Sequence, residues 1–182
     1  MNHTALLVVD IQRAAFDGVR CPPIDAPQRL IANAVALLDA ARAGGHPVVF
    51  VQHTDVAGEP FEKGTPHREL HEALLPADGE HRLEKHRSSS FDDTELDATL
   101  KRHGVGTLVV CGLQSEFCVS NTTRAALERG YAVQVASDGH STWPSEGRSA
   151  ALIEAEVNAQ LGAAGATVEP TVMLAQALRG SA

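Results

Sequence analysis

The stretch VVCGLQSEFCVSNTT, residues 109–123, joins an apolar run to a polar segment that carries a second cysteine. The apolar part belongs to TLVVCGL (107–113), and a short continuous run of this kind is typical of a strand buried on both faces. Residues 116–129 predict a helix that ends at Gly130. Its polar residues 120–123 are weak helix formers, which indicates that part of this helix faces a polar site.

Strands and helices alternate along the rest of the chain. Because of this alternation, we expect one α/β domain over residues 1–182, with a parallel sheet covered by helices on both faces. In such sheets the ligand binds outside the carboxyl ends of the strands. The other predicted strands are 5–10, 47–53, 81–87, 131–137 and 166–170, and the other predicted helices are 26–43, 67–75, 95–103 after an N-cap at Thr94, 146–161, and one from 171 onward.

Composition excludes several classes of protein. The chain has 182 residues, 43% of them hydrophobic, and a formal net charge of −8, which disfavours nucleic acid and anionic membranes as partners. No apolar run approaches the roughly 18 residues that a membrane span needs, and the N-terminus lacks the pattern of a signal peptide. Three cysteines form a sparse, odd set that favours a reducing cytoplasm over a disulfide framework.

Three reactive side chains follow three of the predicted strands. Asp10 ends the first strand, Lys85 lies near the end of 81–87, and Cys118 begins the helix after 107–113. In a parallel sheet these positions share one edge, where an acid, a base and a thiol form a constellation for nucleophilic catalysis. Each residue also has an ordinary interpretation: a strand-end turn for Asp10, a solvated lysine, and a small buried hydrophobe for the cysteine.

The helix that carries Cys118 adds a chemical argument. With Ser115 as its N-cap, Cys118 occupies the third helical position, where unsatisfied amides and the positive end of the helix dipole lie. We therefore expect this field and a nearby lysine to lower the pKa of the thiol. The same amides are suited to stabilise an oxyanion. In contrast, Cys111 lies inside an apolar strand and Cys21 precedes two prolines, so neither is predicted to react.

Three segments resemble the isochorismatase-like cysteine hydrolases: LLVVDIQ (6–12), EKHRSSSF (84–91) and GLQSEFCV (112–119). The resemblance implies a Rossmann-like three-layer α/β sandwich with a six-stranded parallel sheet. It also implies a catalytic triad of Asp10, Lys85 and Cys118. In this family a non-proline cis peptide often precedes the nucleophile, here Leu113–Gln114, and it would aim the amides of Gln114 and Cys118 at an oxyanion.

The resemblance further implies a cofactor-independent reaction on a small amide. Cys118 would attack the carbonyl and form a thioester, Asp10 would carry the proton to the leaving amine, and Lys85 would hold the thiolate. Two alternatives remain at this point. One is hydrolysis of a vinyl ether such as isochorismate, in which the thiol is dispensable, and the other is a binding protein without chemistry on the same fold.

A metal site is the main competing interpretation of the histidines. Nicotinamidase-like relatives bind metal through an Asp-x-His pair after the second strand, whereas His53 and Asp55 stand here in the reverse order. His67 and His71 have the i, i+4 spacing of a helical face, which is equally typical of a solvated surface. We therefore predict no metal and no cofactor.

The substrate pocket is predicted from side chains near the same sheet edge. Gln12, Phe16, Phe61, Phe117 and Trp143 are the candidates for substrate contact, with ordinary loop packing as the alternative for the aromatic residues. Residues 54–80 and 139–147 would determine the substrate. Relatives are commonly dimers or tetramers, so the resemblance also implies a homo-oligomer.

Overall fold

Six parallel strands form one sheet in the order β3-β2-β1-β4-β5-β6 in the computed structural model, which describes residues 3–180. This is the six-stranded parallel sheet that was expected. The strands are β1 (His3–Val9), β2 (Val48–His53), β3 (His81–Lys85), β4 (Val105–Leu113), β5 (Ala132–Ser141) and β6 (Thr167–Glu169).

Helices cover both faces of the sheet. Helices α2 and α6 pack on one face, and α3, α4 and α5 pack on the other, so the predicted three-layer sandwich is confirmed. The helices are α1 (Ala14–Asp17), α2 (Pro27–Ala43), α3 (Leu96–Arg102), α4 (Ser120–Glu128), α5 (Ala150–Ala163) and α6 (Thr171–Arg179).

Strand β1 shows why its sequence is a continuous apolar run. Leu6 and Val8 pack against α2 and α6, whereas Leu7 and Val9 pack on the opposite face. Successive side chains of a strand point to opposite faces, and both faces of this strand are covered. All four side chains are therefore fully buried, and no polar alternation is left in the strand.

The predicted helix over 67–75 is wrong. The chain forms two short 3₁₀ turns there, Pro66–Arg68 and Glu72–Leu74. Between them the backbone bonds to the segment after β1 instead of to itself: the His71 amide donates to Ile11, and the Glu69 carbonyl accepts from Arg13. Because these groups have partners outside the segment, it does not continue as an α-helix.

Two helix starts also differ from prediction. Helix α5 begins at Ala150 instead of residue 146, because the Ser149 hydroxyl accepts a hydrogen bond from the Leu152 amide and caps the helix there. Helix α3 has Glu95 at its N-cap position. The Thr94 hydroxyl still accepts from the Leu96 amide at 3.3 Å, so its predicted capping contact is shifted by one residue.

Three expectations concern the chain as a whole. Across residues 3–180, none of the helices is long and apolar enough to cross a membrane. The extent of the domain, residues 1–182, stays a prediction, and residues 1, 2, 181 and 182 lie outside the described range. The predicted oligomer also stays a prediction, since one chain is described.

Gly112 allows β4 to lie directly against the end of β1. It pairs with Val9 across the two strands, and its φ of 135° is unusual for a residue with a side chain. A Cβ atom at this position would collide with the Val9 backbone carbonyl. Glycine is therefore required here, and its close approach brings the chain after β4 beside Asp10.

We expect Gly112→Ala to lower the free energy of unfolding by more than about 2 kcal/mol, because it adds a backbone collision to an unfavourable φ. Gly130→Ala is the matched control, since Gly130 also has a positive φ but faces open space. That control should cost about 1 kcal/mol. Urea unfolding of both variants measures the difference, and equal losses would contradict this account of Gly112.

Candidate active site

Three strand ends bring Asp10, Lys85 and Cys118 together at one edge of the sheet. Asp10 directly follows β1, Lys85 is the last residue of β3, and Cys118 lies in the turn after β4. The lysine ammonium is 2.7 Å from a carboxylate oxygen of Asp10 and 3.2 Å from the sulfur of Cys118. The three side chains that the strand pattern predicted to converge therefore do so.

Lys85 reaches the site from two strands away. Strand β2 lies between β3 and β1, so the Lys85 and Asp10 side chains extend toward each other across about 10 Å of sheet. Its ammonium also contacts the Arg87 carbonyl at 3.1 Å and the Nδ1 atom of His53 at 3.3 Å. Lys85 is 1% exposed. Its burial alone would lower its pKa, but the charge of the Asp10 carboxylate and the contacts with Asp10 and Cys118 outweigh burial and raise the pKa, so the lysine stays charged.

The Asp10 carboxylate is held in place, but it keeps lone pairs that accept no hydrogen bond from the described part of the chain. Its backbone amide donates to the Val51 carbonyl at 2.9 Å, and its φ of 53° turns the chain away from the strand direction. The carboxylate is 3% exposed and one of its oxygens lies 2.7 Å from the Lys85 ammonium, and its remaining lone pairs have no other aligned donor within residues 3–180. Its lone pairs therefore remain available to take a proton.

The expected lowering of the Cys118 pKa is wrong. Burial of the thiol, followed by the charge of the Asp10 carboxylate, raises its pKa to about 11, and the ammonium of Lys85 opposes this only in part. The resting site consequently holds a neutral thiol beside a carboxylate. In that state the sulfur is a weak nucleophile until its proton leaves, and Asp10 is the nearby group that can accept it.

The turn that carries Cys118 is a π-helix, not the predicted α-helical first turn. It spans Ser115–Val119, where the Val119 amide donates to the Gln114 carbonyl at 3.1 Å. The predicted N-cap role of Ser115 is wrong, because no side chain caps this turn and Gln114 occupies the cap position. The peptide bond Leu113–Gln114 is cis, as the resemblance implied.

Ser115 instead holds the π-helical turn in place through its side-chain hydroxyl. Its hydroxyl lies 2.8 Å from Nδ1 of His140, and Nε2 of that ring lies 2.9 Å from the Asn158 amide oxygen. The Asn158 amide nitrogen donates to the Ser137 carbonyl, which fixes its oxygen toward the ring. Burial lowers the pKa of His140, so the neutral ring accepts from Ser115 and donates to Asn158. This buried relay ties the π-helical turn to β5 and α5.

The polar residues 120–123 hold the loop after Lys85. The Thr122 hydroxyl accepts from the Ser90 amide at 2.9 Å, and the Asn121 side chain donates to the Ser88 hydroxyl at 2.8 Å. Ser88 itself approaches the Cys118 sulfur at 3.9 Å. These weak helix formers therefore link the loop that follows Lys85 to the helix that follows Cys118.

A cavity of about 290 Å³ opens above these residues. Its volume is suited to a small molecule. The lining combines carboxylates, thiols and aromatic rings: Asp10, Cys21, His53, Asp55, Pro60, Phe61, Leu113, Gln114, Cys118 and Trp143.

The structure places only two of the five predicted substrate-binding residues in the cavity lining. Phe61 and Trp143 line the cavity, whereas Phe16 lines a separate depression beside His71. Phe117 points to solvent and is 51% exposed, because the π-helical turn rotates it away.

Gln12 is fully buried, and its side-chain amide is bonded to the backbone of His53 and Arg68. Gln12, Phe16 and Phe117 therefore lie outside the cavity lining, and their contact with substrate stays a prediction.

Two kinds of site residue were not predicted from the sequence. Cys21 lines the cavity although its place before two prolines gave no sign of this. His53 and Asp55 were considered as metal ligands only, yet both line the cavity and bond to each other at 2.9 Å. Their position after the second strand was the available signal, since ligands bind at such strand ends.

The other candidate metal ligands are separated from one another. His67 bonds to Asp17, and His71 accepts from the Ala73 amide, so they do not share a helical face. Within residues 3–180, no group of three or more His, Cys, Asp or Glu side chains is placed to hold a metal ion.

Known proteins are similar to this chain in sequence. The family model for the isochorismatase domain matches residues 4–170. Streptothricin hydrolase from Streptomyces noursei is 40% identical over 139 residues, or 76% of this chain and 50% of that protein. The chain thus spans about half the length of this relative. Ureidoacrylate amidohydrolase RutB from Methylobacterium radiotolerans is 34% identical over 194 residues, which cover 84% of this chain and 73% of the relative.

A solved structure agrees with the fold over nearly the whole chain. An isochorismatase from Pseudomonas putida KT2440 superposes with a TM-score of 0.87 at 31% identity, covering 94% of this chain and 89% of that one.

We expect Asp10→Asn to lower the pKa of the Cys118 thiol from about 11, because the substitution removes the negative charge that opposes thiolate formation. Lys85→Met should raise the same pKa, because it removes the cation that favours the thiolate. The ultraviolet absorbance of the thiolate, titrated against pH and corrected with a Cys118→Ala sample, measures both shifts. A pKa that rises in Asp10→Asn would contradict the assignment of charges, and circular dichroism verifies that each variant is folded.

Proposed function

Because the chain belongs to the isochorismatase family of hydrolases, we propose that it cleaves the C–N bond of a small amide through a thioester on Cys118. One observation carries this proposal. A single buried ammonium, that of Lys85, lies 2.7 Å from the Asp10 carboxylate and 3.2 Å from the Cys118 sulfur at a cavity large enough for a small molecule.

The first half of the reaction forms the thioester. Asp10 takes the proton from the thiol as the sulfur attacks the amide carbonyl, and the carbonyl electrons move onto oxygen. We assign the backbone amides of Gln114 and Cys118 to that oxyanion. Collapse of the adduct breaks the C–N bond, and Asp10 returns its proton to the leaving amine.

The second half of the reaction releases the acid. Asp10 takes a proton from water, the water oxygen bonds to the thioester carbon, and the C–S bond breaks. The proton then returns from Asp10 to the sulfur, so the site regains its resting form. Lys85 stays charged throughout and stabilises whichever of its two neighbours carries the negative charge.

The names of relatives support the C–N bond over the alternatives. One relative acts as an amidohydrolase on ureidoacrylate according to its name. The vinyl ether alternative needs proton transfer from the aspartate but no nucleophile, and a binding protein needs neither. The arrangement described above supplies both a carboxylate with available lone pairs and a sulfur facing the cavity.

We also propose a cytoplasmic location. All three cysteines, Cys21, Cys111 and Cys118, are free. Free thiols persist in reducing compartments, and a thioester mechanism requires that the sulfur stay reduced.

The thioester route predicts that Cys118→Ala lowers kcat/KM by at least about a thousandfold, because it removes the nucleophile. A panel of small amides, assayed for released ammonia or amine, identifies a substrate for this measurement. Mass spectrometry of the wild-type protein mixed with that substrate should show an acyl adduct on Cys118. Cys111→Ala is the matched control, since this thiol lies in the core outside the cavity, and its kcat/KM should change by less than about threefold.

The same variants separate the alternatives. Substantial turnover by Cys118→Ala together with its loss in Asp10→Asn would point to the vinyl ether mechanism. A wild-type protein that hydrolyses neither amides nor vinyl ethers would favour a binding role.

A homo-oligomer, a dimer or a tetramer, is a further part of this proposal. Helix α6 exposes Val172 at 69% and Met173 at 51%, and neighbouring apolar side chains of this kind are typical of subunit contacts. We expect Met173→Glu to weaken the oligomer, with Glu169→Gln as the surface control. Light scattering measures the mass in solution, and a clean monomer for the wild type would contradict the proposal.

A further inference from the structure

Asp55 is a second carboxylate in the cavity, and the proposed reaction does not use it. It lies just after β2 and contributes to the cavity lining. One of its oxygens is 2.9 Å from Nε2 of His53, and the other accepts from the Phe61 amide at 3.1 Å. These two bonds hold the carboxylate in place, and each oxygen keeps a lone pair for a ligand.

The neighbours of Asp55 leave its charge uncompensated. The ammonium of Lys85 faces Nδ1 of His53 at 3.3 Å, and an ammonium has no acceptor, so Nδ1 carries no proton. The ring proton is then on Nε2, where it is donated to Asp55. His53 is consequently neutral, and Asp55 remains a carboxylate with a neutral partner.

The other charges at the cavity cancel. Asp10 is paired with the buried Lys85 at 2.7 Å, and the Cys118 thiol is neutral at physiological pH. Among the described residues that line the cavity there is no lysine or arginine. The space above the nucleophile therefore has a negative potential that comes from Asp55, and it favours a positive group.

Two aromatic rings in the lining fit the same kind of group. The Phe61 ring lies beside His53 with ring centroids 6.1 Å apart, and the Trp143 ring is held by a hydrogen bond from its Nε1 to the Pro22 carbonyl. Both side chains line the cavity with Asp55. A cavity lined by a carboxylate and two aromatic rings is suited to an ammonium ligand, because a carboxylate and the face of an aromatic ring both attract a cation.

We infer that the substrate carries a cationic amine that binds at Asp55 between Phe61 and Trp143. This inference rests on the proposed amidase function and names the substrate class. His53 separates Asp55 from Lys85 and the sulfur, so the amine and the scissile amide are joined by a linker that spans one imidazole ring. Amino-alkyl carboxamides have this form, and an acidic amide is disfavoured by the same carboxylate.

A homologous series tests the inference. Amino-alkyl carboxamides of increasing methylene length are each paired with the alkyl carboxamide of the same length and with the N-acetylated form. We expect kcat/KM to be about tenfold or more higher for the cationic member at the favoured length, because it gains a charge-assisted hydrogen bond. Asp55→Asn should abolish this preference, so that the cationic and the alkyl carboxamide of the same length differ in kcat/KM by less than about threefold.

A matched variant controls for overall charge. Glu59→Gln removes one carboxylate from the same loop at an exposed position outside the cavity. The cationic preference should persist in Glu59→Gln. Its loss in both variants would mean that general charge, not binding at Asp55, produces the preference, and it would overturn the inference.

Binding without turnover separates this inference from the proposed function. Cys118→Ala, titrated calorimetrically with the same series, should bind the cationic amide about tenfold more tightly than its neutral partner. Equal or weaker binding of the cation overturns the inference even if neutral amides are hydrolysed. Tighter binding by Cys118→Ala without hydrolysis of any amide by the wild type would support the cationic ligand and overturn the proposed amidase function.

Discussion

The buried ammonium of Lys85 is the constraint on which the site depends. Enclosing a charge at 1% exposure is unfavourable unless its partners are close and correctly placed. Asp10, Cys118 and the Arg87 carbonyl supply those partners within 3.2 Å. Removal of any one partner leaves a buried charge poorly compensated, so the ends of β1, β3 and β4 are held in one arrangement.

Features that looked unrelated in the sequence serve this arrangement. Gly112 lets β4 lie against the end of β1, which places the turn with Cys118 beside Asp10. Thr122 bonds to Ser90 and so fixes the loop that follows Lys85. Ser115 anchors the π-helical turn through His140. Weak helix formers are accepted in α4 because these bonds are worth more here than helix propensity.

The sheet and the meeting of three strand ends could be predicted, because the alternation of strands and helices is encoded locally and parallel strands bring their carboxyl ends to one edge. The directions of the Ser115 and Phe117 side chains could not be predicted, because a π-helical turn rotates side chains relative to the expected α-helix. Gln12 was predicted to contact substrate, but the chain turns at Asp10, which has a positive φ, and the Gln12 side chain bonds to the backbone of His53 and Arg68. The helix expected at 67–75 failed because its backbone bonds to residues distant in sequence. In each case a tertiary contact overrode a local pattern.

The neutral thiol changes what the site must accomplish. A permanently ionised cysteine would react with any electrophile and would oxidise readily. Here burial and Asp10 keep the pKa of Cys118 near 11, so in the proposed mechanism the sulfur becomes nucleophilic only as Asp10 takes its proton. In that mechanism, transfer of the proton from Cys118 to Asp10 creates a thiolate beside a neutral carboxylic acid. The negative charge thereby moves by a few ångströms, and the ammonium of Lys85 compensates it at either position because it contacts both groups. Under this proposal, reactivity is coupled to a bound carbonyl that receives the sulfur, and selection of the substrate depends on cavity residues, such as Asp55 at the proposed amine site, that take no part in the proton transfer.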